Sequence, residues 1–96
     1  MDLGIKDKRV VITGASRGLG KELAIKFAEE GAKLTLIARN KDNLEKIINS
    51  NQIKKNNHNF TVADLKEKNE PTKVAKEIIL KNKKIDIIIH NLGGSL

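Results

Sequence analysis

Gly14, Gly18 and Gly20 form the part of this sequence best suited to chemistry. They lie in the run TGASRGLG, which follows the apolar residues VVI. Glycine adopts positive φ and has no Cβ, so a backbone built from it can approach a pyrophosphate closely. The amide groups at the start of a following helix are unpaired and carry a partial positive charge. The run therefore predicts a phosphate-binding turn, to which Ser16 and Arg17 add a hydroxyl group and a cation.

The spacing of these glycines is GxxxGxG, which has a longer first gap than the commoner GxGxxG fingerprint. The alternative interpretation is a turn that only lets a strand and a helix pack closely together. A β-branched run precedes the glycines and an amphipathic helical pattern follows them. This context is the one that a dinucleotide-binding motif requires, so we expect a dinucleotide site.

Arg39 bears on which dinucleotide is bound. It follows the apolar run LTLIA, at the point where dinucleotide folds usually carry an acid for the adenosine ribose hydroxyl groups. This strand ends without an acid, and an arginine accommodates a 2′-phosphate instead. With Arg17 as a second cation on the same side, the sequence predicts NADP(H) rather than NAD(H). The alternative is that Arg39 is a solvated surface residue.

An alternation of strands and helices must position these residues. Apolar periodicity predicts strands over 9–13, 33–38, 60–63 and 85–89, and helices over 19–30, 41–53 and from 71 onward. The polar segment 54–59 is predicted to be a loop. Such an alternation is typical of a doubly wound parallel α/β sheet, Rossmann-like, with strand order 3-2-1-4. We expect one incomplete unit of four strands, without a second domain.

Each predicted helix has an apolar face that should cover the sheet. Asn40 is the expected N-cap of the second helix, Gly31 should end the first, and Pro71 suits the first turn of the third. The residues expected to face the core are Leu19, Leu23, Ala24, Phe27 and Ala28 in the first helix, Leu44, Ile47 and Ile48 in the second, and Val74, Ala75, Ile78 and Ile79 in the third.

The composition limits the remaining classes of function. The 96 residues include no cysteine, which excludes disulfides and thiolate metal sites and favours a cytoplasmic location. No stretch approaches the roughly 18 apolar residues of a membrane span. The formal net charge of +7 could indicate nucleic acid as a partner, but the lysines alternate with acidic residues and only 2% of residues are aromatic. A solvated basic surface is the favoured interpretation.

The run TGASRGLG resembles the cofactor loop of the short-chain dehydrogenase/reductase family. Two later motifs of the sequence resemble other parts of that family's pattern. The resemblance implies that Leu19 belongs to the cofactor site with the glycines. It also implies that Asp64 binds the adenine amino group, with Leu65 against the ring. A cap for the following segment is the alternative role for Asp64. The run HNLG resembles the family's NNAG turn, which places Asn91 and Gly93 beside the cofactor.

Two residues of the HNLG run depart from the family pattern. His90 replaces the first Asn, and Leu92 replaces a small Ala and could displace the loop. His58 is the other histidine and lies far away in the sequence, so a structural role for His90 is favoured over a metal or catalytic one. Asp86 and Thr13 are expected to be structural, Thr13 as a hydroxyl that braces the glycine turn and Asn91 as an amide that joins strand ends.

The family's reaction centre, an Asn, a Ser and a Tyr activated by a Lys, is not found in this sequence, which contains no tyrosine. We therefore expect no catalytic residue here. Residues 1–96 are predicted to be the NADP(H)-binding N-terminal half of an oxidoreductase for a carbonyl or hydroxyl substrate, truncated and inactive alone. The isoleucine-rich fourth strand is expected to be an open edge that favours self-association. The alternatives are a nucleotide-binding module that docks on a partner chain, or a basic nucleic-acid-binding protein.

Overall fold

Strands and helices alternate along the chain in the computed structural model, which describes residues 4–15, 18–51, 53, 55–64, 69–82 and 84–91. The strands are β1 (Arg9–Thr13), β2 (Lys33–Ala38), β3 (Asn59–Val62) and β4 (Ile87–His90). The helices are α1 (Gly18–Glu29), α2 (Lys41–Ile48) and α3 (Glu70–Asn82). The strands form one sheet in the order β3-β2-β1-β4, which confirms the predicted doubly wound order.

Every strand pair in this sheet is parallel, so the carboxyl ends of the strands meet at one edge. Thr13, the last residue of β1, lies opposite Ile37 of β2 and His90 of β4. Ala38 lies opposite Val62 at the same edge. This edge, called the carboxyl edge below, is where open α/β sheets bind ligands. The glycine run, Arg39, Asp64 and Asn91 all follow strands there.

Helix α1 packs on the sheet through alanines, because small side chains let the helix approach the strands closely. Ala24 and Ala28 are fully buried. Leu23 and Phe27 are partly buried beside them. The prediction that Leu19 faces the core was wrong, since this side chain is 66% exposed at the start of the helix.

Helix α3 covers the other face of the sheet with a narrower apolar stripe than predicted. Val74 and Ile78, one helical turn apart, are buried with Val11 and Ile37 of the sheet. Ala75 and Ile79, also predicted to be buried, are exposed. The apolar contact of this helix with the sheet is thus made by positions i and i+4, while Lys81 near its end donates to the carbonyl of Phe60 in β3.

Helix α2 ends at Ile48 rather than continuing to residue 53. The N–H groups of Asn49 and Ser50 donate to carbonyls of the last turn, and the chain then bends back so that Ile53 is buried. Ile53, the last residue of the longer helix that was predicted, is therefore buried through a turn and not as part of a helix. The N-cap prediction is confirmed, because the N–H of Asn43 donates to Asn40 Oδ1 at 3.0 Å.

The remaining element bounds differ from the predictions by one or two residues. Helix α1 begins and ends one residue earlier, and β3 begins at Asn59, which was assigned to the loop. Strand β4 begins at Ile87 instead of residue 85. Gly31, at φ 88°, follows the end of α1 as predicted. Within the described part of the chain, none of the helices is long and apolar enough to cross a membrane.

Candidate functional site

The turn after β1 is held at the carboxyl edge by both neighbouring strands. Gly14 has a φ of 64°, a conformation that favours glycine. The carbonyl oxygen of Gly14 accepts a hydrogen bond of 3.1 Å from Asn91 Nδ2, beyond β4. On the other side, the N–H of the buried Ala15 donates to the carbonyl of Ile37 in β2 at 3.3 Å. The position of the turn is thus fixed relative to three strands.

Gly20 brings helix α1 into close contact with this turn. A Cβ at position 20 would overlap the carbonyl oxygen of Gly14 and lie 2.7 Å from Asn91 Nδ2. Because glycine has no side chain, the first turn of α1 can lie directly against the end of β1. A glycine at this position is therefore required by packing, whether or not a ligand is bound.

Gly18 has a different reason to be glycine. Its φ is 60°, and a Cβ at this position would meet nothing within 4 Å. The backbone at the start of α1 is therefore open, and Leu19 beside it is exposed. The first turn of α1 carries no acidic side chain. Its amide groups can bind an anion, because a helix N-terminus combines unpaired donors with a partial positive charge.

Thr13 links β1 to the end of β4 through its hydroxyl group. Thr13 Oγ1 donates to the carbonyl of Asn91 at 3.3 Å and lies 3.0 Å from His90 Nδ1. These contacts agree with the predicted structural roles of Thr13 and His90. Asn91 joins the strand ends as predicted, with its carbonyl bound to Thr13 and its amide to Gly14.

Arg39 and Asp64 lie at the ends of two neighbouring strands. Arg39 follows β2 directly and is exposed, and Asp64 is partly buried one residue beyond Ala63. The N–H of Ala63 donates to the carbonyl of Ala38 at 2.9 Å, which continues the β2-β3 pairing up to these two residues. The structure therefore brings a cation and a carboxyl group to the β2-β3 side of the carboxyl edge.

Five of the residues singled out in the sequence lie outside the described residues. They are Ser16, Arg17, Leu65, Leu92 and Gly93. The predicted site residues that the structure does place at the carboxyl edge are Gly14, Gly18, Leu19, Gly20, Arg39, Asp64 and Asn91. Ala15 is the residue that the sequence analysis missed. Its small apolar side chain next to Gly14, directly after a buried strand, was the available signal.

The opposite, amino edge of the sheet is stabilised by polar contacts of a purely structural kind. Asp86 Oδ2 accepts from the N–H of Arg9 at 2.9 Å, and the N–H of Asp86 donates to the carbonyl of Arg9. The Arg9 backbone hydrogen bond, supported by the charge of Lys84, lowers the pKa of the Asp86 carboxyl group. Burial lowers the pKa of the Arg9 guanidinium, which donates to the carbonyl of Leu34. The predicted structural role of Asp86 is confirmed.

Comparison with known proteins identifies this architecture. A family model described as short chain dehydrogenase matches residues 8–95. The chain belongs to the short-chain dehydrogenase family. The resemblance seen in the glycine run is therefore confirmed over almost the whole sequence.

Individual relatives of the family agree in sequence and in structure. An uncharacterized oxidoreductase of Listeria monocytogenes is 38% identical over 89 residues. A 3-oxoacyl-[acyl-carrier-protein] reductase of Buchnera aphidicola is 37% identical over 89 residues. Among solved structures, hydroxysteroid dehydrogenase from Escherichia coli superposes with a TM-score of 0.83 at 32% identity, covering 94% of this chain and 38% of that one.

The chain matches only part of each relative. The alignments cover 93% of this chain, but 36% of the Listeria protein and 35% of the Buchnera protein. A short-chain dehydrogenase from Bacillus anthracis is covered to 35%, with a TM-score of 0.78 and 34% identity. The chain thus spans about a third of the length of the family members it matches.

Proposed function

We propose that residues 1–96 form the NADP(H)-binding part of a short-chain oxidoreductase. The open backbone at Gly18, where α1 begins at the carboxyl edge, is the observation that carries this proposal. The close packing at Gly20 holds this first turn of α1 against the end of β1. A pyrophosphate fits this arrangement of bare backbone and helix N-terminus.

The preference for NADP(H) rests on Arg39. Its position directly after β2 is the place where an acid would select the unmodified adenosine ribose of NAD(H). The residue there is exposed and positively charged, and it lies next to the end of β3, which Asp64 follows. Arg17 would add a second cation. A guanidinium group recognises a phosphate by bidentate hydrogen bonds, which supports a 2′-phosphate at this point.

For the oxidoreductase of which these residues would be a part, we propose hydride transfer between the bound nicotinamide and a carbonyl or hydroxyl compound. In this chain the residues bind and orient the cofactor. They do not include the tyrosine that the family uses to move the substrate proton, because the sequence contains none. We therefore infer that these 96 residues bind NADP(H) and do not turn over a substrate by themselves.

Calorimetric titration of the chain with NADPH and with NADH tests the proposal. We expect NADPH to bind more tightly. Replacing Arg39 by Ala should weaken NADPH binding by roughly 10-fold or more and change NADH binding little, since one charge-assisted contact is lost. Lys33→Ala is the matched control, because Lys33 lies at the amino end of the same strand and its loss removes the same charge.

Three results would contradict parts of the proposal. Equal affinity of the wild type for the two cofactors would exclude the NADP(H) preference. Binding of neither cofactor would exclude the site itself. Salt-dependent binding to a DNA duplex that NADPH does not displace would favour a nucleic-acid-binding function instead.

A further inference from the structure

The two outer strands of the sheet, β3 and β4, lie at opposite ends of the order β3-β2-β1-β4. An outer strand carries a row of backbone N–H and C=O groups that can pair with a strand of another chain. Proteins oppose such pairing by placing lysine at the edge or by covering the edge with another element. The two outer strands of this sheet differ in that respect, because a lysine of helix α3 reaches the backbone of β3.

The carbonyl group of Phe60 lies on the outer side of β3. In a parallel pair, every second residue directs both its N–H and its C=O group to the neighbouring strand, and the residues between direct theirs away. The N–H of Ala63 donates to the carbonyl of Ala38 in β2, so Ala63 and Thr61 are the residues that face β2. Phe60 and Val62 therefore direct their backbone groups to the open edge.

Lys81, in the last turn of α3, occupies this outer carbonyl. Its Nζ donates to the carbonyl oxygen of Phe60 at 3.0 Å and to Oγ1 of the buried Thr61 at 3.2 Å. Glu77 Oε1, one helical turn earlier, lies 3.0 Å from the same Nζ and helps to hold it there. A strand that pairs with β3 must displace this ammonium group, because it needs the same carbonyl as an acceptor.

Strand β4 has no such cover in the part of the chain that the structure describes. Its residues IIIH include no lysine. Lys84, shortly before the strand, forms an ion pair of 3.4 Å with Asp86. The edge of β4 is therefore open where the edge of β3 is occupied.

We propose that Lys81 blocks the β3 edge against pairing with a second copy of this chain, so that strand addition is directed to β4. Strand β3, with the sequence NFTV, carries no charge of its own, and Val62 on it is 44% exposed. Uncharged segments of this kind associate readily unless a charged residue protects them. Lys81 supplies that charge from the neighbouring helix. This inference does not depend on the proposed cofactor site.

Sedimentation of variants made in an Ile88→Lys chain, called the parent below, tests the block. The added lysine opposes pairing through β4, so that association through β3 can be seen by itself. Lys81→Met removes the ammonium group and keeps a side chain of similar length. It should tighten self-association roughly 5-fold or more, because a partner strand no longer competes with one hydrogen bond. Lys76→Met, the matched control, removes the same charge from an exposed position of the same helix and should change nothing.

Two NMR measurements identify the edge and the contact. In concentrated Lys81→Met parent, hydrogen exchange should slow at the amides of Phe60 and Val62, which point to the β3 edge, and stay unchanged in β4. In the parent itself, the ammonium protons of Lys81 should exchange with water more slowly than those of Lys76. This second measurement needs no variant at position 81, so it tests the contact even if Lys81→Met fails to fold.

Four outcomes would overturn the proposal. The first is a folded Lys81→Met parent that stays as monomeric as the parent up to the highest soluble concentration. The second is an equal effect of Lys76→Met, which would assign the change to net charge alone. The third is association that leaves the exchange of the Phe60 and Val62 amides unchanged, which would place the contact on another surface. The fourth is equal exchange of the Lys81 and Lys76 ammonium protons, which would exclude the hydrogen bond in solution.

Discussion

Asn91 Nδ2 donates a hydrogen bond of 3.1 Å to the carbonyl oxygen of Gly14. This contact joins the residue after β4 to the residue after β1, and both atoms also face the missing Cβ of Gly20. The end of β4, the glycine turn and the first turn of α1 therefore share one point of contact. The geometry of the candidate site depends on this point.

Replacing Asn91 by Ala should lower both stability and cofactor affinity. The partly buried Gly14 carbonyl loses its amide donor, which costs about 1 to 3 kcal/mol in the free energy of unfolding. The turn is no longer fixed to β4, so NADPH should also bind more weakly. Urea denaturation and NADPH titration of the same sample measure the two effects.

Asn56→Ala is the matched control for this substitution. Asn56 Nδ2 donates to the carbonyl of Gly31 at 2.7 Å and to Asp7 Oδ1, at the amino edge of the sheet. Its loss should reduce stability by a similar amount and leave NADPH affinity unchanged. If the two variants lost NADPH affinity equally, the Asn91 contact would have no special role in the site.

Gly18 and Gly20 should respond differently to substitution. Gly20→Ala forces a Cβ into the Gly14 carbonyl and should cost about 3 kcal/mol, because backbone must move. Gly18→Ala meets open space and should cost only about 1 kcal/mol for its positive φ. Gly18→Asn should cost less than Gly18→Ala, since Asn tolerates this conformation. Thermal unfolding of the three variants should reproduce this order, and similar losses at both positions would refute the argument.

The pH dependence of stability should reveal Asp86. Its folded pKa is lowered mainly by the backbone hydrogen bond from Arg9. The ionised carboxylate therefore stabilises the fold fully above the ordinary Asp pKa of about 3.9, and this stabilisation is lost as the pH falls through the lower folded value. Denaturation of the wild type and of Asp86→Asn, followed from pH 7 to pH 2, should show the wild type more stable at neutral pH and the difference shrinking below about pH 4. A difference that is independent of pH would contradict the role of the charge.

The open edge of β4 should support self-association. β4 pairs only with β1 among the described strands, and Ile88 is 66% exposed on it. A strand edge with unpaired backbone groups and no charged residue can pair with a second chain. Ile88→Lys should reduce the concentration-dependent increase in mass seen by sedimentation, because charges oppose edge pairing.

Leu80→Lys serves as the control for this experiment. Leu80 is 83% exposed on α3 and is not part of a strand edge. Its substitution removes a similar apolar area but should leave edge pairing intact. A wild type that remains monomeric at high concentration, or an equal effect of both lysines, would exclude pairing through β4.

Several features of the fold could be derived from the sequence because they depend on local chemistry. The alternation of apolar strands and amphipathic helices gave the parallel sheet and its order. Local signals also gave the Asn40 cap and the glycine at the end of α1. Burial was harder to derive. Leu19 and Ile79 are apolar and in register with core residues, yet both are exposed, because only packing against another element decides which side of a helix is covered.

The sequence by itself determined the class of site, because three glycines between a strand and a helix have few other uses, and the family followed from the same run. The tertiary structure decided how that site is held together. The requirement for glycine at position 20 arises from the Gly14 carbonyl, the same carbonyl binds the amide of Asn91, and Thr13 contacts His90 across the β1-β4 pair. The contacts of His90 and Asn91 join residues 77 positions apart in the chain, so their geometry exists only in the folded sheet.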